Sequence, residues 1–150
     1  LIDADTGAVL YDKGMDEYRY PASTTKIMTM LVAIENSSPK DIVTFTETGI
    51  RDVTWDSSNI NAQLGETMTM KDCWMAAYIK SANEVCAQIA ETVGGTEANF
   101  VEMTRRQKNL DVHIHILPMP VGCRMKIIIP VLMTWQRSCV HAFEINVSVR

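Results

Sequence analysis

The residues best suited to chemistry in this chain are a serine and a lysine placed three positions apart, Ser23 and Lys26. Residues three apart on a helix lie on the same face, so the lysine amine can reach the serine hydroxyl. The stretch from Ile27 to Ile34 is apolar almost all round, which is typical of a buried helix. Burial disfavours the ammonium form of a lysine. The pattern therefore predicts a neutral amine beside a hydroxyl, which is a general base beside a nucleophile.

Ser-x-x-Lys by itself is a weak motif, and the chain holds a second copy from Ser37 to Lys40. Pro39 disfavours a helix there, so this copy has no predicted geometry and we give it no catalytic role. The structural alternative for Ser23 is a helix N-cap. Lys26 stands where a capping box would have Glu or Gln, so no capping box supports that alternative. Local features leave both interpretations of Ser23 open.

A second polar element, Ser81-Ala82-Asn83, lies between two segments that have helical apolar faces. At a helix–helix corner, short polar side chains can project into a cleft. Ser and Asn are also ordinary turn and cap residues, and Ser57-Ser58-Asn59 has the same spacing in a polar loop. Taken alone, the triplet at 81–83 fits a cap better than a site.

The elements that must position these residues follow from periodicity and turn signals. Gly94-Gly95 marks a break between two helices, and Thr96 can cap the second of them. The predicted elements are a β-hairpin formed by residues 1–5 and 8–13 around Thr6-Gly7, a nucleophile helix at 23–36, a β-rich segment at 41–46, a polar loop at 48–65, and helices at 70–80, 83–93 and 97–109.

Size and composition exclude several classes of protein. A chain of 150 residues can form one domain with a moderate core. The net charge of −4 gives no basic footprint, and no nucleic-acid motif is present, so no nucleic-acid partner is predicted. No apolar run reaches the length of a membrane span. The chain begins at Leu1, in what resembles a strand, so we expect a fragment that lacks its true N-terminus and any export signal.

The four cysteines are Cys73, Cys86, Cys123 and Cys139, and they are too sparse for a disulfide framework. The first two fall on apolar helical faces and are predicted to be small core residues.

In combination, the two polar elements resemble the serine D-alanyl-D-alanine carboxypeptidases, which are low-molecular-mass penicillin-binding proteins. The resemblance covers roughly residues 1–110. It is carried by Pro21-Ala22-Ser23-Thr24-Thr25-Lys26 at a helix start, by Lys80-Ser81-Ala82-Asn83-Glu84 at a helix end, and by the segments 1–11, 41–45 and 64–69.

The resemblance implies an α/β fold in which an antiparallel sheet packs with helices and a helical lobe forms the other wall of the cleft. Residues 1–110 would supply part of it: the first hairpin, the nucleophile helix and the helical lobe. By resemblance, Ser23 attacks the carbonyl of the penultimate D-alanine of a peptidoglycan stem pentapeptide, and Lys26 takes its proton. Ser81 relays a proton toward the leaving amine, and Asn83 holds substrate or Lys26 in place.

The resemblance also implies that β-lactams are covalent inhibitors and that no metal or cofactor is needed. The site would work outside the cytoplasmic membrane, where peptidoglycan lies. The preferred stem peptide and any membrane anchoring of the parent protein stay open.

Two other functions remain open. A class A β-lactamase shares the Ser-x-x-Lys helix but has Ser-Asp-Asn as its second element, so Ala82 favours the carboxypeptidase. The chain can also be a catalytically inactive remnant, because Lys-Thr-Gly, the third element of the family, does not occur in it.

The chain changes character after Leu110. Residues 1–110 carry ten Lys and Arg against sixteen Asp and Glu, whereas residues 111–150 carry four against two. The tail also holds scattered His and Cys residues, but their spacing matches no zinc pattern and we predict no metal site. We predict instead that 111–150 is out of frame, and a genuine divergent tail is the alternative. With permitted codons, a shifted frame turns Arg124 to Gln136 into Asp-Glu-Asn-His-Tyr-Thr-Ser-Ala-Tyr-Asp-Met-Ala, which resembles the family at this point.

Overall fold

The computed structural model describes residues 1, 3, 5–13, 18–19, 22–51, 56–105 and 127–128. Almost all of the predicted out-of-frame tail, with Cys123 and Cys139, lies outside the described residues. The elements are β1 (Tyr18–Arg19), a 3-10 turn (Ala22–Thr24), α1 (Thr25–Asn36), β2 (Ile42–Thr44), α2 (Glu47–Ile50), β3 (Thr67–Thr69), α3 (Met70–Ile79), α4 (Asn83–Gly94), α5 (Glu97–Arg105) and β4 (Ile127–Ile128).

The described strands form two antiparallel pairs. β2 pairs with β3, with Val43 opposite Met68, and β1 pairs with β4, with Tyr18 opposite Ile128. Helices α1, α3, α4 and α5 match the predicted helices closely. Thr96 caps α5 as predicted, since its hydroxyl accepts a hydrogen bond from the Asn99 amide at 3.1 Å.

The start of the chain folds back on itself around Thr6-Gly7, where the sequence predicts a β-hairpin, although the first strand that the structure describes is β1. The Asp3 amide donates to the Ala8 carbonyl at 2.9 Å, and the Leu10 amide donates to the Leu1 carbonyl at 2.9 Å. Gly7 has a φ of +72°, a left-handed conformation that glycine adopts at no steric cost. The side chain of Asp3 accepts from both the amide and the hydroxyl of Thr6, which lowers its pKa.

Helix α4 lies at the centre of the fold and packs against α1, α2, α3 and α5. Its buried face includes Val85, Cys86 and Ile89, all fully buried. The apolar stretch of α1 is buried as predicted, with its largest fully enclosed side chains at Met28 and Leu31. Packing of these helices against one another removes their apolar surface from water, which stabilises their association.

The two described cysteines, Cys73 and Cys86, are buried and free, which confirms their prediction as small core residues. Burial raises the pKa of each thiol to about 12, so both stay protonated near neutral pH.

The prediction of a loop from residue 48 is wrong at its start, because the short helix α2 occupies 47–50. Its contact with α4 includes several polar side chains as well as Ile50, which packs against the apolar core. The buried side chain of Gln88 accepts from the Thr46 amide at 2.8 Å, and Glu91 accepts from the Thr48 hydroxyl at 3.0 Å. Gly49 allows this close approach, since a Cβ there would lie 2.6 Å from Gln88 Oε1. A four-residue helix is too short to show periodicity in the sequence.

We expect the variant Glu91→Gln to lose less stability than the wild type when the pH falls. Hydrogen bonds from Thr46, Gln88 and Thr48 hold the pKa of Glu91 below its ordinary 4.5. The folded-state pKa is therefore lower than the unfolded one. The stability contributed by ionised Glu91 is complete above about pH 4.5 and is lost as the pH falls through the folded-state pKa.

Urea unfolding at about pH 7 and about pH 3 measures this effect as a difference in free energy of unfolding. The difference between the two pH values should be smaller in Glu91→Gln than in the wild type. Glu47→Gln, which removes an exposed carboxylate of α2, is the control for the loss of one negative charge. An unchanged difference in Glu91→Gln contradicts the assignment.

Within the described part of the chain, no helix combines the length and the apolar composition that crossing a bilayer requires.

Candidate active site

Ser23 lies in the 3-10 turn that leads directly into α1, and Lys26 lies in the first turn of α1. Ser23 is exposed, whereas Lys26 is only 3% exposed. The N-cap position of α1 is Thr24, which has a helical backbone and makes no side-chain capping bond. The capping alternative for Ser23 is therefore wrong. Its hydroxyl is left available to the lysine.

Ser81 lies at the corner where α3 ends and α4 begins, as the sequence predicts. The corner is held through its backbone. The Ala82 amide donates to the Ala76 carbonyl at 3.4 Å, and the Asn83 amide donates to the Ser58 carbonyl at 2.8 Å. The N-cap position of α4 is Ala82, which offers no capping side chain. The interpretation of 81–83 as a simple helix cap is therefore wrong.

Three polar side chains from these two places meet in a closed triangle. Lys26 Nζ donates to Ser81 Oγ at 2.8 Å and to Ser23 Oγ at 3.2 Å. Ser81 Oγ donates to Ser23 Oγ at 2.9 Å. The structure thus brings together three of the four predicted site residues, although Ser81 is more than fifty positions from the other two.

Such a triangle can support nucleophilic chemistry. When the Lys26 amine is neutral, its lone pair can accept the proton of the Ser23 hydroxyl, and the serine oxygen becomes the nucleophile. Ser81 touches both groups, so it can pass a proton between Lys26 and a leaving group bound beside Ser23.

The fourth predicted residue, Asn83, is placed differently. Its Oδ1 is buried and has no hydrogen-bond partner among the described residues. That oxygen therefore does not hold Lys26, and a role in holding substrate stays a prediction.

Backbone strain is concentrated around the triangle. Ala22, directly before Ser23, has a φ of +47°, and Ser81 has a φ of +55°. Residues other than glycine seldom adopt these left-handed values, and each costs about 1–3 kcal/mol. Asn61, the third such residue in the described part of the chain, lies in the loop that contacts α4. Strain of this kind is typical of functional sites, where the surrounding structure maintains it.

We expect the variants Ser81→Gly and Ser81→Ala to separate catalysis from stability. Both remove the hydroxyl that contacts Lys26 and Ser23, so both should lose activity to the same extent. Glycine adopts the left-handed backbone at no steric cost and alanine adopts it only with strain, so Ser81→Gly should be more stable than Ser81→Ala by about 1 kcal/mol. Thermal unfolding and an acylation assay on both variants measure the two effects. Equal stability would show that the backbone at 81 carries no strain.

Sequence reasoning missed two contributors to the site. One is the loop of residues 56–62, here called the Ser58 loop, which supplies the carbonyl that binds Asn83. The other is Glu84, which is 1% exposed and accepts from the Ile60 amide at 2.6 Å. A charged residue after the Ser81-Ala82-Asn83 corner was the available signal, but its burial could not be seen in the sequence.

In the part of the chain that the structure describes, no three His, Cys, Asp or Glu side chains are grouped closely enough to hold a metal ion.

Comparison with known proteins identifies a family. Its sequence profile, described as D-alanyl-D-alanine carboxypeptidase, matches residues 1–115 of the chain. The D-alanyl-D-alanine carboxypeptidase DacF of Bacillus subtilis is 35% identical over 125 residues, which cover 81% of this chain and 32% of that protein. The chain therefore spans about a third of the length of the curated relatives that it matches.

Solved structures show the same fold. Penicillin-binding protein 6B from Escherichia coli matches with a TM-score of 0.79 and 25% identity, covering 93% of this chain and 48% of that one. The D-alanyl-D-alanine carboxypeptidase DacD from Francisella tularensis matches with a TM-score of 0.83 and 22% identity, covering 96% of this chain and 37% of that one. The predicted α/β class, a penicillin-binding-protein-like fold present in part, is confirmed.

Proposed function

The chain belongs to the D-alanyl-D-alanine carboxypeptidase family, and we propose that its Ser23 triangle removes the terminal D-alanine from peptidoglycan stem peptides through an acyl-enzyme. The observation that carries the proposal is the mutual contact of Ser23, Lys26 and Ser81 within 3.2 Å. A nucleophile, a buried amine and a relay hydroxyl are the groups that acyl transfer needs.

In the first half of the reaction, Ser23 Oγ attacks the carbonyl carbon of the penultimate D-alanine while its proton passes to Lys26 Nζ. The tetrahedral intermediate collapses as the peptide C–N bond breaks. The leaving amine of the terminal D-alanine takes the proton from Lys26 through the hydroxyl of Ser81. An ester on Ser23 and free D-alanine result.

In the second half, water attacks the ester carbonyl and gives a proton to Lys26. The C–O bond to Ser23 breaks, the proton returns to the serine oxygen, and the shortened peptide leaves. The start of α1 carries the positive end of its helix dipole, which favours the negative charge that develops on the carbonyl oxygen. The Ser23 amide is the proposed donor to that oxygen, and Asn83 is proposed to bind the substrate.

β-Lactams are proposed to acylate the same serine and to leave a stable adduct. Because peptidoglycan lies outside the cytoplasmic membrane, the proposed reaction takes place there. Turnover of β-lactams as in a class A β-lactamase is less well supported. Such an enzyme has Asp where this chain has Ala82, a fully buried residue without a carboxylate.

The proposal is tested by adding a peptide that ends in D-Ala-D-Ala to the protein and measuring the release of D-alanine. The same peptide ending in L-Ala-L-Ala is the control. A fluorescent penicillin, followed by mass spectrometry of the digested protein, should place a single adduct on the peptide that contains Ser23. Rapid loss of that adduct with hydrolysed drug would favour the β-lactamase. A folded protein with neither adduct nor D-alanine release would favour the inactive remnant.

A further inference from the structure

Glu84 is a carboxylate buried almost completely at the start of α4, beside the site. One oxygen accepts from the Ile60 amide at 2.6 Å. The other, Oε2, is buried and has no hydrogen-bond partner among the described residues. Burying a carboxylate for one hydrogen bond is costly. Local costs of this kind are expected where a residue serves the function of a site more than the stability of the fold.

The contact that Glu84 makes belongs to the Ser58 loop, which binds the start of α4 at two points. The Ile60 amide contacts the Glu84 carboxylate, and two residues earlier the Ser58 carbonyl accepts from the Asn83 amide at 2.8 Å. Asn83 is two residues from Ser81. Fixing the position of Ile60 therefore also fixes the nearby Ser58 carbonyl, which binds the Asn83 amide. That contact in turn fixes the corner that carries the Ser81 hydroxyl.

Local hydrogen bonds connect the residues of this loop to one another. Asn59 Nδ2 donates to the Ser57 carbonyl at 2.8 Å, and Asn59 Oδ1 accepts from the Asn61 amide at 3.1 Å. Gln63 Nε2 donates to the Asn61 carbonyl at 2.7 Å, and the adjacent Ala62 is buried. These contacts link Ile60 to the residues on either side of it, so a constraint on its amide can reach the Ser58 carbonyl.

We propose that Glu84 is a positioning residue for Ser81. Its carboxylate fixes the Ser58 loop, the loop fixes the Asn83 amide, and the corner then holds the Ser81 hydroxyl 2.8 Å from Lys26 Nζ. The expected effect on acylation rests on the proposed function. The structural link from Glu84 through the Ser58 loop to the Asn83 amide does not. Displacement of a catalytic group by about 1 Å can lower a rate by about 100-fold.

The test compares Glu84→Ala, Glu84→Gln and Glu91→Ala. Glu84→Ala removes the acceptor for the Ile60 amide, whereas Glu84→Gln keeps an acceptor oxygen. Glu91→Ala removes another carboxylate from α4, about two turns further on, where it contacts α2 and not the Ser58 loop. Hydrogen exchange at the Ile60 and Asn83 amides reports the link. The acylation rate with a fluorescent penicillin, at a temperature where every variant is folded, reports the consequence.

We expect Glu84→Ala to speed exchange at both amides and to slow acylation by about 10- to 100-fold. Glu84→Gln should have amide exchange and acylation rates close to those of the wild type. Glu91→Ala should change neither the exchange nor the acylation rate, even if it lowers the melting temperature as much as Glu84→Ala. Faster exchange at Ile60 with no change at Asn83 overturns the link. Faster exchange at both amides with unchanged acylation overturns the positioning role. If the wild type is not acylated, the proposed function fails, and exchange at Asn83 alone decides the link.

Discussion

Ser23→Ala should abolish covalent labelling by a fluorescent penicillin and lower D-alanine release by roughly 10⁴-fold or more, because the nucleophile itself is removed. The fold should not change. Ser23 is exposed and caps no helix. In the variant, the Ser81 hydroxyl keeps its contact with Lys26 Nζ at 2.8 Å. The measurements are gel fluorescence, D-alanine release and thermal unfolding on the same samples.

The matched control for this variant is Ser37→Ala in the second Ser-x-x-Lys copy. Ser37 is the C-cap residue of α1, has an extended backbone and donates to the Ala33 carbonyl at 2.6 Å. Its loss should cost some stability and leave labelling intact. Labelling that persists in Ser23→Ala would place the nucleophile elsewhere and end the assignment.

Lys26→Met should lower acylation by about 10²–10⁴-fold, the usual contribution of a general base. Methionine has a similar length and no charge, so the buried site should accept it. Because Lys26 is only 3% exposed and burying its amine is costly, we expect the free energy of unfolding to stay within about 1 kcal/mol of the wild type or to rise. Ser23 and Ser81 keep their mutual contact at 2.9 Å.

Lys26→Arg provides the contrasting variant. Arginine keeps the charge but does not release a proton near neutral pH, so it cannot act as the base. It should be as inactive as Lys26→Met and less stable, because the larger guanidinium must fit a buried position. Acylation rates and urea unfolding on both variants separate the two effects. Substantial acylation by either variant contradicts the role of Lys26 as the base.

The local part of the site could be predicted from the sequence. Ser23 and Lys26 are three positions apart, and a helix turn alone brings their side chains together, at 3.2 Å. The apolar run after Lys26 indicated that the helix would be buried, and burial of the amine followed. Turn signals located the corner at Ser81, and the combination of the two motifs indicated the family that the comparisons then showed.

Tertiary structure alone decided the rest. Contact between Ser81 and Lys26 depends on how α1 and α3 pack against α4, and periodicity within one helix carries no information about distance between helices. The left-handed backbones at Ala22 and Ser81 could not be predicted, since neither residue type favours that conformation and only the surrounding packing maintains it. The role of Glu84 was hidden for the same reason. A glutamate is expected on the surface, whereas tertiary packing buries this one and brings the Ile60 amide of the Ser58 loop to its carboxylate.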